Sequence, residues 1–287
     1  MKLYKGKTFA EVYSKSLDEL YNSPDFETAP RGYKIKENTF VSFEIENPDF
    51  SIYENERRSS QLKYIAAELI WYFRGGNNIE FIKKFASFWE NIANDKQEVN
   101  SAYGNLIFKN PSNETNHTQY DWALNSLVKD KDSRQAIMHF NMPLHQYNKN
   151  KDFVCTMYGI FHIRNNKLNF KINMRSNDAI LGTPTDVAFF SILHKQMLFD
   201  LKETYPDLEL GYYIHEMDSY HIYERHYELV ESMLENSFTP LHLPDVNKNL
   251  ILSEDIHQLY YDVINDKDLD KYTTDNYIIN WIIKHLK

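Results

Sequence analysis

The 287-residue chain contains one cysteine, Cys155. That excludes an internal disulfide framework and fits a reducing, cytosolic compartment, a host's cytoplasm if the gene is viral. Glycine is scarce, at eight residues, which leaves a glycine-rich phosphate loop with little support. The one adjacent pair, Gly75-Gly76, follows a helical run and reads as a helix stop. No run approaches about 18 consecutive apolar residues, so no spanning helix and no membrane partner are expected. MKLYKGKTFAEVYSKSLDEL has no apolar core, so no signal peptide is expected. Positive charge is in deficit: a formal net charge of −9 argues against bulk nucleic-acid binding. An anionic small substrate is compatible if a few arginines gather locally. There is no internal repeat, low-complexity tract or Pro/Gly/Ser-rich linker, and one domain over residues 1–287 is expected.

What is present is an aromatic-rich chain, with 21 Tyr and 18 Phe, which points to a well-filled interior. Periodicity predicts a helix over residues 8–21, an extended stretch over 33–45 and a helix from about Ser60 to Phe73. In that second helix Leu62, Ile65, Ala66, Leu69 and Phe73 form one apolar face. Tyr64 and Trp71 make the opposite side apolar too, so burial nearly all round is expected, with Glu68 the one acid inside it. RQAIMHFNM reads as a strand, and FVCTMYGIFHIRNNKLNFKINMRS as a hairpin turning at Asn165-Asn166. Thr185 is the expected N-cap of the next helix, with Asp186 in its first turn. LELGYYIHEM reads as a strand and DSYHIYERHYELVESML as a helix capped by Asp218 or Ser219. DNYIINWIIKHLK closes the chain as a helix. A strand-rich centre with flanking helices reads as α+β.

Taken singly, the polar residues invite ordinary explanations. A lone cysteine among hydrophobes is most often a small core thiol, and Glu68 could pair with a nearby arginine. Together, a thiol, several arginines and acids beside strand ends point to covalent chemistry on an anionic substrate. RSNDAILGTPTDVAFF, DSRQAIM, AAELIWYFRGG, NSAYG and SYHIYERH also stand in the order and spacing of the thymidylate synthase family, over roughly residues 8–235. The chain resembles that family, and within it the deoxycytidylate hydroxymethylases of bacteriophages, which share NSxYG, a Cys-Thr pair, MRSND and HxYxRH.

The resemblance implies a central mixed β-sheet with flanking helices, a homodimer formed through the sheet, and a divergent C-terminal part over 236–287. It implies that Cys155 adds to C6 of a pyrimidine, making C5 nucleophilic toward a one-carbon donor. That donor is 5,10-methylenetetrahydrofolate as co-substrate; no metal is implied. Arg31, Arg134 and Arg175 match phosphate-binding positions, Arg134 being contributed across the dimer. Gln135 stands where the family usually has a second arginine. Glu68 matches an acid that works through ordered water, and burial should raise its pKa. Tyr103 matches a catalytic-pocket tyrosine. Ser176 and Asn177 match nucleotide contacts, Asp178 a catalytic and folate contact, and His221 with Tyr223 the pair that binds the deoxyribose hydroxyl. Trp89, Leu181 and Gly182 match the folate wall.

Asp186 stands where thymidylate synthases carry asparagine. A carboxylate can accept from cytosine N4 and share a proton with N3, so a dCMP substrate is implied. Thr156 and Thr185 replace a histidine and a phenylalanine, and the chain ends IIKHLK without a short apolar closing segment. These departures imply that water finishes the product as a hydroxymethyl group, in the synthesis of modified DNA. The alternatives are a thymidylate synthase on dUMP, a dCMP methylase, an enzyme acting on ribo-CMP, or a non-catalytic nucleotide-binding paralogue.

Overall fold

Thr8 accepts the Glu11 amide at 3.3 Å and so starts helix α1 (Phe9–Asn22) behind strand β1 (Lys2–Gly6). This computed structural model describes residues 1–110 and 117–287. Strands β2 (Phe26–Thr28), β3 (Ile35–Ile45) and β4 (Ile52–Glu54) lead to helix α2 (Leu62–Arg74). Short helices α3 (Phe88–Ile92) and α4 (Tyr103–Phe108) and the capped helix α5 (Gln119–Lys129) precede β5 (Ile137–His139). Next come β6 (Thr156–Arg164), β7 (Lys167–Met174), β8 (Asn177–Asp178) and the long helix α6 (Thr183–Leu201). Strand β9 (Glu209–Tyr223), helix α7 (Tyr227–Leu234), β10 (Thr239–Leu241), α8 (Glu254–Ile264) and α9 (Tyr277–Leu286) complete the chain.

Among the described residues, eight strands form one mixed sheet in the order β1-β3-β9-β7-β6-β5, with β2 beside β3 and β8 beside β9. The β6–β7 hairpin turns at Asn165 and Asn166, both at positive φ (52° and 58°) as a tight two-residue turn requires. Cross-strand partners show which face is which. Phe161, Phe170 and Tyr213 are paired and fully buried, and α1 and α6 cover that side through Phe9 against Phe43 and Phe190 against Phe170. On the opposite side Glu44, Ile214, Lys171 and Ile160 form a paired row that stays partly exposed.

Helix α2 is buried continuously from Ile65 to Phe73, as its sequence predicts. Gly75 ends it in the left-handed conformation, φ 73°, where a side chain would be strained. Helices α8 and α9 pack against α2, so the C-terminal part supports the helix that carries Glu68. No helix among the described residues is long and apolar enough to cross a membrane.

Several local expectations need correction. Residues 218–223 are not the start of a helix: β9 runs on to Tyr223, and the helix begins at Tyr227. Ladder pairing decides this, because β3 and β8 flank the segment on both sides and satisfy its backbone groups. His221 and Tyr223 therefore lie at a strand end. Helix α6 starts at Thr183 with Gly182 as N-cap, and Thr185 instead donates back to the Gly182 carbonyl at 2.9 Å. Cys155 and Arg175 sit one residue outside β6 and β7 rather than within them.

Candidate active site

Arg175 is anchored first by backbone. Its Nε donates to the Val154 carbonyl at 3.1 Å, Nη2 to the Phe153 carbonyl, and the guanidinium lies 4.7 Å from the centre of the Phe153 ring. The Arg175 amide also donates to the Cys155 carbonyl at 2.9 Å. These contacts hold Nη2 at 3.6 Å from the Cys155 sulfur. Burial pushes the thiol up, Arg175 opposes that shift, and Asp186 and Asp152 add to it; Arg31 also lowers it, so its charge reaches the site. Arg31 is exposed and at positive φ (55°), in a tight Pro30-Arg31-Gly32 turn.

The NSAYG segment is tied to the loop before Cys155. Asn100 donates to the Asp152 carbonyl at 2.9 Å, and the Ser101 amide to the Asp152 carboxylate at 2.8 Å. This carries Tyr103 into the site, where it stacks on Tyr72 and Phe190 and feels the charges of Asp186, Cys155 and Glu68.

Two buried acids lie together near the thiol's region, Glu68 feeling the charge of Asp186 and Asp186 acting on Cys155. Burial first, and the charge of Asp186 second, push Glu68 up to about 8. Its partner is a tyrosine rather than an arginine: Tyr64 donates to Glu68 Oε1 at 2.9 Å. Trp89 donates to the Tyr64 hydroxyl at 3.1 Å and is buried edge-on to Trp71. Asp186 lies in the first turn of α6, and burial pushes it up to about 7 against the opposing Asn177 hydrogen bond. Asn177 Nδ2 donates to Asp186 Oδ2 at 2.7 Å.

Asp178 Oδ1 accepts from the amides of Ile180 and Leu181 at 2.8 and 3.0 Å, shaping the turn that leaves Leu181 47% exposed at the rim. Gly182 is constrained by space: a Cβ there would lie 2.8 Å from Asn177 Nδ2 and 3.4 Å from Asp186 Oδ2. Asp178 pairs with His221 in the β8–β9 ladder. Burial pulls the His221 pKa down while Asp178 opposes it. Tyr223 packs edge-on to His221, and Arg225 stacks 4.2 Å over the Tyr223 ring. Ser176 is half-buried between Arg175 and Asn177. Arg134 is not brought to this cluster. It is exposed beyond α5, lining a groove of about 1020 Å³ with Trp122, Lys129 and Gln135.

Sequence reasoning missed the groups behind Asn177, which are His215 and Tyr213. The available signal was a histidine sharing a strand face with apolar Met217. It also missed Tyr64 and Arg225.

A thiol held against an arginine, with two buried carboxyls whose pKa is raised in the same region, fits a class: an enzyme of covalent chemistry on an anionic substrate. The chain belongs to the thymidylate synthase family, whose model, Thymidylate synthase, matches residues 11–282. It is similar to the deoxycytidylate 5-hydroxymethyltransferase of Enterobacteria phage T6, 33% identical over 214 residues, 72% of this chain and 83% of that protein. The protein of the same name from Enterobacteria phage T4 is 32% identical over 214 residues, with the same shares. The deoxyuridylate hydroxymethyltransferase of Bacillus phage SP01 is 28% identical over 232 residues, 78% of this chain and 59% of that protein. The chain is thus a folate-dependent one-carbon transferase acting at C5 of a pyrimidine nucleotide.

Proposed function

We propose that this enzyme is a homodimeric, single-domain dCMP hydroxymethylase, converting dCMP, 5,10-methylenetetrahydrofolate and water to 5-hydroxymethyl-dCMP and tetrahydrofolate. The observation that carries the reading is Asp186, a carboxyl coupled to Cys155 with a pKa raised to about 7. Near neutrality it holds a proton for cytosine N3 and an acceptor for the N4 amine. An amide in its place matches uracil, and a mismatched buried pair costs about 1–3 kcal/mol for each unpaired group.

Arg175 and Arg31, with the partner subunit's Arg134, hold the phosphate. Ser176 contacts the nucleotide, Asn177 acts on it through Asp186, and His221 with Tyr223 contact the sugar hydroxyl. Cys155 sulfur bonds to C6, and the C5–C6 electrons move toward C5, making it nucleophilic. Asp186 stabilises the charge that develops at N3, and Glu68 moves protons at the 4-substituent through water. Once C5 carries the one-carbon unit and has lost its proton, attack of water on the exocyclic methylene with departure of the Cys155 sulfur from C6 restores the ring.

The residues of the expected folate wall support this reading. Exposed Leu181 offers apolar contact beside the Asp178 turn, and Trp89 backs the acid side through Tyr64. These residues with Gly182 and Asp178 would hold the folate, which supplies one carbon at the methylene level. Thr156, buried beside Cys155 and coupled to Tyr103, supports the water branch by giving the pocket hydroxyl groups.

A second reading, hydroxymethylation of dUMP, is favoured by the name of the Bacillus phage SP01 relative. The test is to weigh products from dCMP, dUMP and CMP incubated separately with the folate. dCMP should gain about 30 mass units; a gain of about 14 means methylation. Turnover of dUMP with none of dCMP would overturn the reading.

A further inference from the structure

Asp186, once protonated, has two forms. With the proton on one oxygen it matches the donor and acceptor pattern of cytosine; with the proton on the other it matches uracil. A carboxyl free to choose would discriminate poorly. The structure places a buried chain of hydrogen bonds behind it. Asn177 Nδ2 donates to Asp186 Oδ2 at 2.7 Å. Thr183 donates to Asn177 Oδ1 at 2.7 Å, and His215 Nε2 lies 3.0 Å from that oxygen. Tyr213 OH lies 2.7 Å from His215 Nδ1. Tyr213 and His215 are fully buried, and Asn177 is 4% exposed.

Direction in this chain follows from its closed end. Among the described residues, His215 Nδ1 is the acceptor that the buried Tyr213 proton finds. Leaving that proton unmade is costly, so Tyr213 donates to Nδ1. Burial holds His215 neutral, its pKa lowered to about 3, so the remaining proton is on Nε2 and points at Asn177. An amide oxygen accepts it, which turns the Asn177 amino group toward Asp186. Oδ2 then accepts, and an oxygen bearing the proton is the poorer acceptor, so the proton settles on Oδ1.

We infer that Tyr213, His215 and Asn177 are positioning residues that lock one protonated form of Asp186 and so set the discrimination between cytosine and uracil. This rests on the reading of Asp186 as the group that meets the base. The test is kcat/KM for dCMP and dUMP on wild type, Tyr213→Phe, His215→Phe and His215→Gln, with near-ultraviolet circular dichroism to confirm folding. Tyr213→Phe and His215→Phe should narrow the ratio between the two nucleotides on the order of tenfold. His215→Gln, whose amide can still donate to Asn177, should keep most of it. If His215→Phe does not fold, the nearly isosteric Tyr213→Phe carries the test. Variants that lose activity equally on both nucleotides, with the ratio intact, overturn the inference. A wild-type enzyme that does not discriminate overturns the reading of Asp186 instead, whatever the variants do.

Discussion

Glu68 feels the charge of Asp186, and burial raises both, to about 8 and about 7. Each keeps its proton in the folded state at pH values where the unfolded chain has released it. The folded state therefore binds more protons between about pH 4 and pH 8, and stability falls as pH rises through that window. The unliganded protein should melt a few degrees lower at pH 8.5 than at pH 6 at constant ionic strength. Glu68→Gln, which does not ionise, should flatten part of that slope; an unchanged slope would remove Glu68 as its source. Asp186→Asn changes an acid to an amide at the same place. It should cut dCMP turnover by roughly a hundredfold and raise relative activity on dUMP, measured as tritium release from the labelled C5 position.

At the scale of elements, the turn between β8 and α6 holds the site together. Asp178 shapes it, Asn177 crosses it, and Gly182 leaves room for that crossing. Gly182 has an ordinary negative φ of −89°, so what it supplies is space rather than conformational freedom. Gly182→Ala should leave the fold intact, push Asn177 away from Asp186 and reduce dCMP affinity about tenfold, as titration calorimetry would show. Strand β9 teaches the opposite lesson. Its last residues, Asp218–Tyr223, carry a spacing of polar and apolar groups that also fits a helix, and local pattern favoured the helix. Two neighbouring strands overrule it by pairing with the segment from both sides.

For the whole molecule, two features bear on assembly: the sheet face with Glu44, Ile214, Lys171 and Ile160 stays partly open, and Arg134 lies away from Cys155. A dimer through that face would cover the row and deliver an arginine to each site. Cys155→Ala and Arg134→Ala proteins should each be inactive alone. Mixed, unfolded and refolded together, they should recover about a quarter of wild-type activity, because half of the random dimers then hold one intact site. No recovery would argue against contribution in trans.

Much was legible in the chain before any fold. The buried helix α2 followed from apolar residues on both its sides, the hairpin turn from Asn165-Asn166, and the helix stop from Gly75, because each depends on neighbours in sequence. The set of Cys155, Arg175, Glu68 and Asp186 was legible as a pattern of motifs. Their meeting was decided only by tertiary structure, since the 3.6 Å contact between Arg175 and Cys155 joins residues 20 positions apart. The same holds for the raised carboxyls and the chain from Tyr213 to Asp186. A pKa depends on which atoms exclude water around a group. A hydrogen-bond direction depends on which partners are left at the far end, and neither is written in the local sequence.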